Sequence, residues 1–293
     1  MNTLDKLLQQ RFNPLNDFLF YKIMGEKGDE AQLLGFLNAV LGKTGEGRFT
    51  SVKIIENKSF SPKAVGDKSS ILDVRALLQG KTKVNIEVQV RNQNNMDRRS
   101  LFYWSKEYAE SLEAGQDYRE LPDVIAINIV DFDYLPVRNF HTRFHLREDS
   151  DRDIILTNAL EIHFINMVQY RKRGRKEILD NPLCRWLAWL DASSPPGLIA
   201  EVVKMDSAIE TANERMVYVT GDKEAIRAYE MRLMGLSDYT SSMNYAREEG
   251  HRKGHEEGRQ EGHEEGRNEE RLRLLEMLDL GLPVEEIKRR LEE

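Results

Sequence analysis

Nine consecutive residues, VIAINIVDF at 124–132, are almost unbroken in apolar and β-branched character. A strand of this composition is covered on both faces, as parallel strands usually are. Upstream lies MDRRSLFYWSKEYAESLEAG (96–115), which reads as a helix with Asp97 near its start and Gly115 at its end. Before it comes VNIEVQV (84–90), with the period-two alternation of a strand. Strand, helix and buried strand in that order form a βαβ unit, which commits the chain to an α/β architecture.

The segments before that unit complete the frame. LNDFLFYKIMG (15–25) reads as a short helix stopped by Gly25, and DEAQLLGFLNAVLG (29–42) as a second, with Asp29 as N-cap and Gly42 beyond its end. SVKIIE (51–56) is a first strand and SILDVRALL (70–78) a second. The predicted order is α-β-β-β-α-β. Further on, RNFHTRFHLRE and LEIHFINMV alternate well enough to widen the sheet, and residues 176–237 read as helices around WLAWL and MVYV. Those helices suit a substrate-facing cap or a plain layer over the sheet.

The second and third strands carry the chemistry. Val84, Ile86, Val88 and Val90 share one face and Asn85, Glu87 and Gln89 the other, which is expected to meet a cleft or solvent. In the preceding strand Leu72, Val74, Ala76 and Leu78 oppose Ile71, Asp73 and Arg75. A five-residue loop, Gln79 to Lys83, with its midpoint near residues 80–81, pairs Asp73 with Glu87 or Gln89. The two carboxylates then lie roughly 5–8 Å apart on one face. Mg²⁺ takes oxygen ligands, commonly one or two carboxylates with water and substrate phosphate completing its octahedron. An ion so held supports phosphodiester hydrolysis, by activating water and neutralising charge on the phosphate. Taken alone, the pair also suits a solvent-facing hairpin with ordinary surface acids.

Composition narrows the class. At 293 residues there is ample chain for a core in one large or two modest domains. One cysteine, Cys184, permits no intrachain disulfide, which favours a reducing compartment, and no stretch suits a signal peptide or a membrane span. The expected location is cytoplasmic, with no membrane partner. The net charge of −7 sits mostly in residues 247–293, where 10 basic face 15 acidic residues, leaving 33 against 35 in the body. Within that body Arg171, Lys172, Arg173, Arg175 and Lys176 form a basic run suited to phosphate, or to a solvated loop.

An Asp on the second strand and E-x-Q on the third, in this element order, resemble the PD-(D/E)XK nuclease core. NDFLFYKIMG, LLGFLNAVLG, KSSILDVRA, NIEVQV, RRSLFYWSKEYAESLEAGQDY and INIVDF, in sequence, further resemble the Rpn family of recombination-promoting nucleases and transposases. The likeness spans roughly residues 14–240. It implies a restriction-endonuclease-like fold, a mixed sheet flanked by helices, with Asp73, Glu87 and Gln89 as catalytic residues, the two carboxylates among them as metal ligands, Mg²⁺ or another divalent cation as cofactor, and DNA as substrate. Gln89 stands where much of the superfamily has lysine, and an amide can only hydrogen-bond where an ammonium would carry charge. A cation from the next helix would compensate. Arg99, Tyr103 and Lys106 share a face there that suits either the cleft or packing and ion pairing. Asp17 suits a further acidic group or an N-terminal cap. His141, His145 and His163 are too scattered in sequence for a metal set and read as structural.

Domain boundaries follow composition. Residues 1–240 form the nuclease-like domain, with its core at about 14–135 and added strands and helices at 136–240. Within 241–270, glycines at 250, 254, 258, 262 and 266 recur every fourth residue. A helix there lays them in a drifting stripe at a cost of about 1 kcal/mol each, and a solvated linker is the alternative. RLRLLEMLDLGLPVEEIKRRLEE (271–293) reads as a helical hairpin broken at Gly281 and Pro283, an oligomerisation element that makes the protein a homo-oligomer. Two functions are consistent with all of this: a metal-dependent DNA endonuclease, or a nuclease fold without cleavage that binds DNA or assembles through its tail.

Overall fold

The computed structural model describes residues 12–28, 30–55 and 73–292. Asp29, Ile71 and Leu72 lie outside them, and with them the expected cap and the start of the second strand. Two compact units divide the chain, Met1–Leu233 and Met234–Glu293.

The first unit is a six-stranded mixed sheet with helices on both faces. Its strands are β1 (Val52–Ile54), β2 (Val74–Leu78), β3 (Thr82–Gln89), β4 (Val124–Val130), β5 (His141–Phe144) and β6 (Leu160–Asn166), in the order β1-β2-β3-β4-β6-β5. β3, β4 and β6 are parallel, and β1, β2 and β5 run antiparallel to their neighbours. Every residue of β4 is buried, as its apolar run requires.

One face packs on α1 (Asp17–Met24), α2 (Ala31–Val40), α6 (Pro182–Leu190) and α8 (Ser207–Gly221), between which a continuous apolar core forms. Trp186 of α6 is fully buried, edge-on to Phe36 at 5.6 Å and to Trp189 at 6.0 Å. Helices α2 and α8 approach so closely at Gly35 that a Cβ there would lie 2.3 Å from that of Ala208. Only glycine fits that crossing.

The opposite face is covered by α3 (Met96–Ala109). This helix is six residues shorter than the 96–115 expected. The hydroxyl of Ser111 donates to the Glu107 carbonyl at 2.6 Å while its N–H turns to Tyr108 O, so the ladder ends there. Short helices α4 (Met167–Tyr170), α5 (Arg175–Asp180) and α7 (Pro196–Met205) fill the remaining connections. No described helix is long and apolar enough to cross a membrane.

The second unit is helical. α9 (Lys223–Asp279) runs through the whole glycine repeat, Gly281 turns the chain at φ 69°, and α10 (Val284–Glu292) follows. Leu272, Leu275 and Leu278 stand half-exposed or more along α9.

Candidate active site

The β2–β3 turn fixes the site. It is tighter than the five residues expected: pairing continues to Leu78↔Thr82, leaving three residues between the strands. Gln79 at φ 49° and Gly80 at φ 68° reverse the chain, and Lys81 N–H donates to Leu78 O at 3.1 Å. Consecutive positive-φ residues are what tight hairpins use, and glycine adopts that geometry without strain. The register runs Val74↔Ile86, Arg75↔Asn85, Ala76↔Val84. One step further sets Asp73 opposite Glu87, while Gln89 lies two residues beyond on the same face.

That polar face is open only at its margins, where Asp73 and Gln89 are partly exposed, because α3 roofs its centre. Glu87 is 3 % exposed and Asn85 8 %. Arg99 of α3 reaches down to Glu87, Nε to Oε1, at 2.7 Å, and its guanidinium lies 5.2 Å from the Tyr103 ring. Lys106 does not join them. It is largely exposed and lies 3.9 Å from Glu110. Burial raises the pKa of Glu87 above the ordinary carboxylate value, Arg99 pulls it back, and the charge of Asp73 raises it again. Asp73 and Glu87 therefore sit close enough to repel. Arg99 Nη2 is buried and has no hydrogen-bond partner among the described residues.

Polar neighbours that strand periodicity did not single out extend the site. Asn128, beside Glu87 in the β3–β4 register, is held by Ser100 Oγ at 2.9 Å and donates to His163 O at 3.1 Å. Arg75 and Lys83 both pair with the buried Glu107 of α3, the latter at 3.1 Å. Asp17 belongs elsewhere. Asn16 caps α1, and Asp17 accepts Phe18 N–H at 2.8 Å and faces Arg232 at 3.7 Å, its pKa raised by burial. The charges that act on Glu87 are Arg99 and Asp73, not Asp17.

The basic run is mostly engaged with protein. Arg171 bridges Asp191 (2.8 Å) and Asp131, Lys172 donates to Gln169 at 2.9 Å, Arg173 donates to Arg138 O at 3.1 Å, and Arg175 pairs with Glu201. Lys176 is exposed. Strand pairing also gathers the histidines that looked scattered. His163 Nδ1 lies 2.8 Å from His141 Nε2, its Nε2 lies 2.8 Å from Glu161, and His145 is 4.0 Å from the same carboxylate. HTRFH and EIHF on adjacent strands were the signal. No cluster of three or more His, Cys, Asp or Glu suited to a metal occurs among the described residues.

A family model described as PD-(D/E)XK nuclease family transposase matches residues 14–246. The chain belongs to this family. The match covers the whole sheet, both carboxylate strands and the start of α9, and the mixed sheet with flanking helices is the family's α/β nuclease core. No curated protein and no solved structure matches the chain.

Proposed function

We propose that the protein is a Mg²⁺-dependent DNA endonuclease whose cuts promote recombination, with Asp73 and Glu87 as metal ligands. The observation that carries this reading is their juxtaposition across the β2–β3 register, close enough for one charge to act on the other. Two carboxylates of this kind are the donor set that Mg²⁺ takes, with water and phosphate filling the remaining positions. The donors fit a hard cation, and a cation between them would offset the burial that chiefly raises the Glu87 pKa as well as the added charge of Asp73. When bound, the ion would supply Lewis acidity and positive charge at the scissile phosphate.

The chain's own residues supply the rest. Arg99 keeps Glu87 oriented through Nε, and its buried Nη2 is a donor without a partner among the described residues. It provides the fixed positive charge that Gln89 lacks, since an amide on the same face can offer only hydrogen bonds. Lys176, which is exposed, is the member of the basic run best placed to meet DNA, since Arg171, Lys172, Arg173 and Arg175 are engaged with protein. The half-exposed leucines of α9 support assembly of the tail into a homo-oligomer.

Incubation with supercoiled plasmid and Mg²⁺ tests the reading. Wild-type protein is expected to nick, and Asp73→Ala to be slower by at least about 100-fold, beyond the usual effect of residues that only orient a ligand. Equal nicking by both would remove Asp73 from the site. Absence of cleavage with any divalent metal or DNA form would favour the non-cleaving module, which Gln89 alone supports.

A further inference from the structure

The sheet carries a second concave surface on the face opposite Glu87. In register, Glu87 neighbours Asn128, Asn128 neighbours Phe164, and Phe164 neighbours Thr142, so these four point the same way. His141 and Arg143 flank Thr142 and point the other way. There they line a cleft of ≈1090 Å³ between the C-terminal end of α2, the following loop, β5, α5 and the start of α6. Its cationic lining comprises Lys43, Arg48, Arg143, Lys176 and Arg185, against the acids Glu177, Asp180 and Asp206.

These cations are unequally committed. Arg143 lies 3.8 Å from Glu161, Lys43 sits over the Phe49 ring, and Arg185 donates to Leu179 O. Glu177 is itself paired with Arg173 at 3.5 Å. Arg48 and Lys176 are exposed, and their side chains have no partner among the described residues. They come from different elements and both line the cleft.

His141 gives the cleft a hydrogen-bonding edge. Its Nε2 is engaged by His163 Nδ1, and His163 Nε2 by Glu161, each at 2.8 Å. Burial pushes the Glu161 carboxyl up, but the bond and charge of His163 outweigh it and hold Glu161 ionised. Burial and His163 hold His141 down, at about 4, so it is neutral near pH 7. With the carboxylate charged, His163 donates to it through Nε2, and its Nδ1 is engaged with His141 Nε2. That leaves Nδ1 as the edge of His141 able to hydrogen-bond in the cleft it lines.

We propose that this cleft binds a single nucleic-acid strand, with phosphates on Arg48 and Lys176 and a base hydrogen-bonded to His141. The inference rests on the nuclease reading for the class of ligand, and on the cleft alone for its place. Unpaired cations together with one imidazole edge match a phosphodiester chain carrying hydrogen-bonding bases. A duplex keeps its bases stacked and paired inward, whereas a single strand can turn one into such a cleft.

Binding of a fluorescein-labelled dT12 to the full-length chain, followed by anisotropy in metal-free buffer with EDTA, tests the proposal without cleavage. Arg48→Glu/Lys176→Glu should bind roughly tenfold or more weakly, with a salt dependence shallower by about 0.7 for each phosphate that is no longer neutralised. His141→Phe should weaken dT12 and leave an abasic strand of equal length unaffected. Unchanged affinity in both variants would overturn the site. Equal affinity for free dTMP, or tighter binding of the corresponding duplex, would overturn the strand assignment. Nicking by wild type but not by Asp73→Ala, alongside unchanged dT12 binding in the cleft variants, would sink this proposal and leave the nuclease reading intact.

Discussion

The two faces of β3 are buried to nearly the same degree and built from opposite materials. Val84, Ile86 and Val88 enter an apolar core with α1, α2, α6 and α8, while Asn85 and Glu87 are sealed beneath α3 with Arg99. Apolar burial contributes about 25 cal/mol per Å² toward folding. A buried carboxylate and guanidinium roughly cancel their attraction against lost hydration. The same strand therefore supports the fold with one face and carries the proposed site on the other, at a cost in burial.

The largest expected effect falls on the apolar side. Trp186→Ala should lower stability by about 3–5 kcal/mol in chemical denaturation, the range for emptying a buried aromatic site. A loss below about 1 kcal/mol would mean that this layer is not the core. On the polar side the sign should reverse. Glu87→Met/Arg99→Met replaces a buried ion pair with apolar chains of similar size, and is expected to be neutral or stabilising by about 1–4 kcal/mol while nicking disappears. A double variant that unfolds would show the pair to be structural, and the contrast between the faces would fail.

A smaller effect concerns Asp191, which accepts bonds from Arg171 and Ser193. Burial raises its pKa, but those bonds outweigh burial and bring it below 3.8. A depressed folded pKa stabilises the fold above the unfolded value and loses that contribution as pH falls through the folded one. Arg171 is 36 % exposed, so screening limits the contribution to about 1 kcal/mol. The melting-temperature gap between wild type and Asp191→Asn should be constant from about pH 5 to 7 and close below pH 3.8. A gap that widens in acid would contradict the sign.

Period-two alternation and the hairpin made much of this readable from sequence. The facing of Asp73 and Glu87 needed only strand periodicity and a turn near Gly80, and the βαβ unit needed only the run at 124–130. The rest depended on relations between elements. That α3 would roof the polar face, and that Arg99 rather than Lys106 would reach Glu87, follows from how the helix sits on the sheet, which helical periodicity alone does not fix. The chain of Glu161, His163 and His141 arises from antiparallel pairing of β5 with β6, segments whose loop separates the histidines by 22 positions. Ser111 ended α3 early through a side-chain bond that competes with the helix ladder. Lys172 and Arg173 looked like part of an open basic patch because their partners, Gln169 and Arg138 O, are supplied only by the folded chain.

Isothermal titration of the full-length protein with Mn²⁺, as a hard divalent probe, tests most directly whether Asp73 and Glu87 form one cation site. Saturable binding to wild type is predicted, with its loss in Asp73→Asn and in Glu87→Gln alike, since both carboxylates hold the same ion. Undiminished binding in either variant would contradict a shared site.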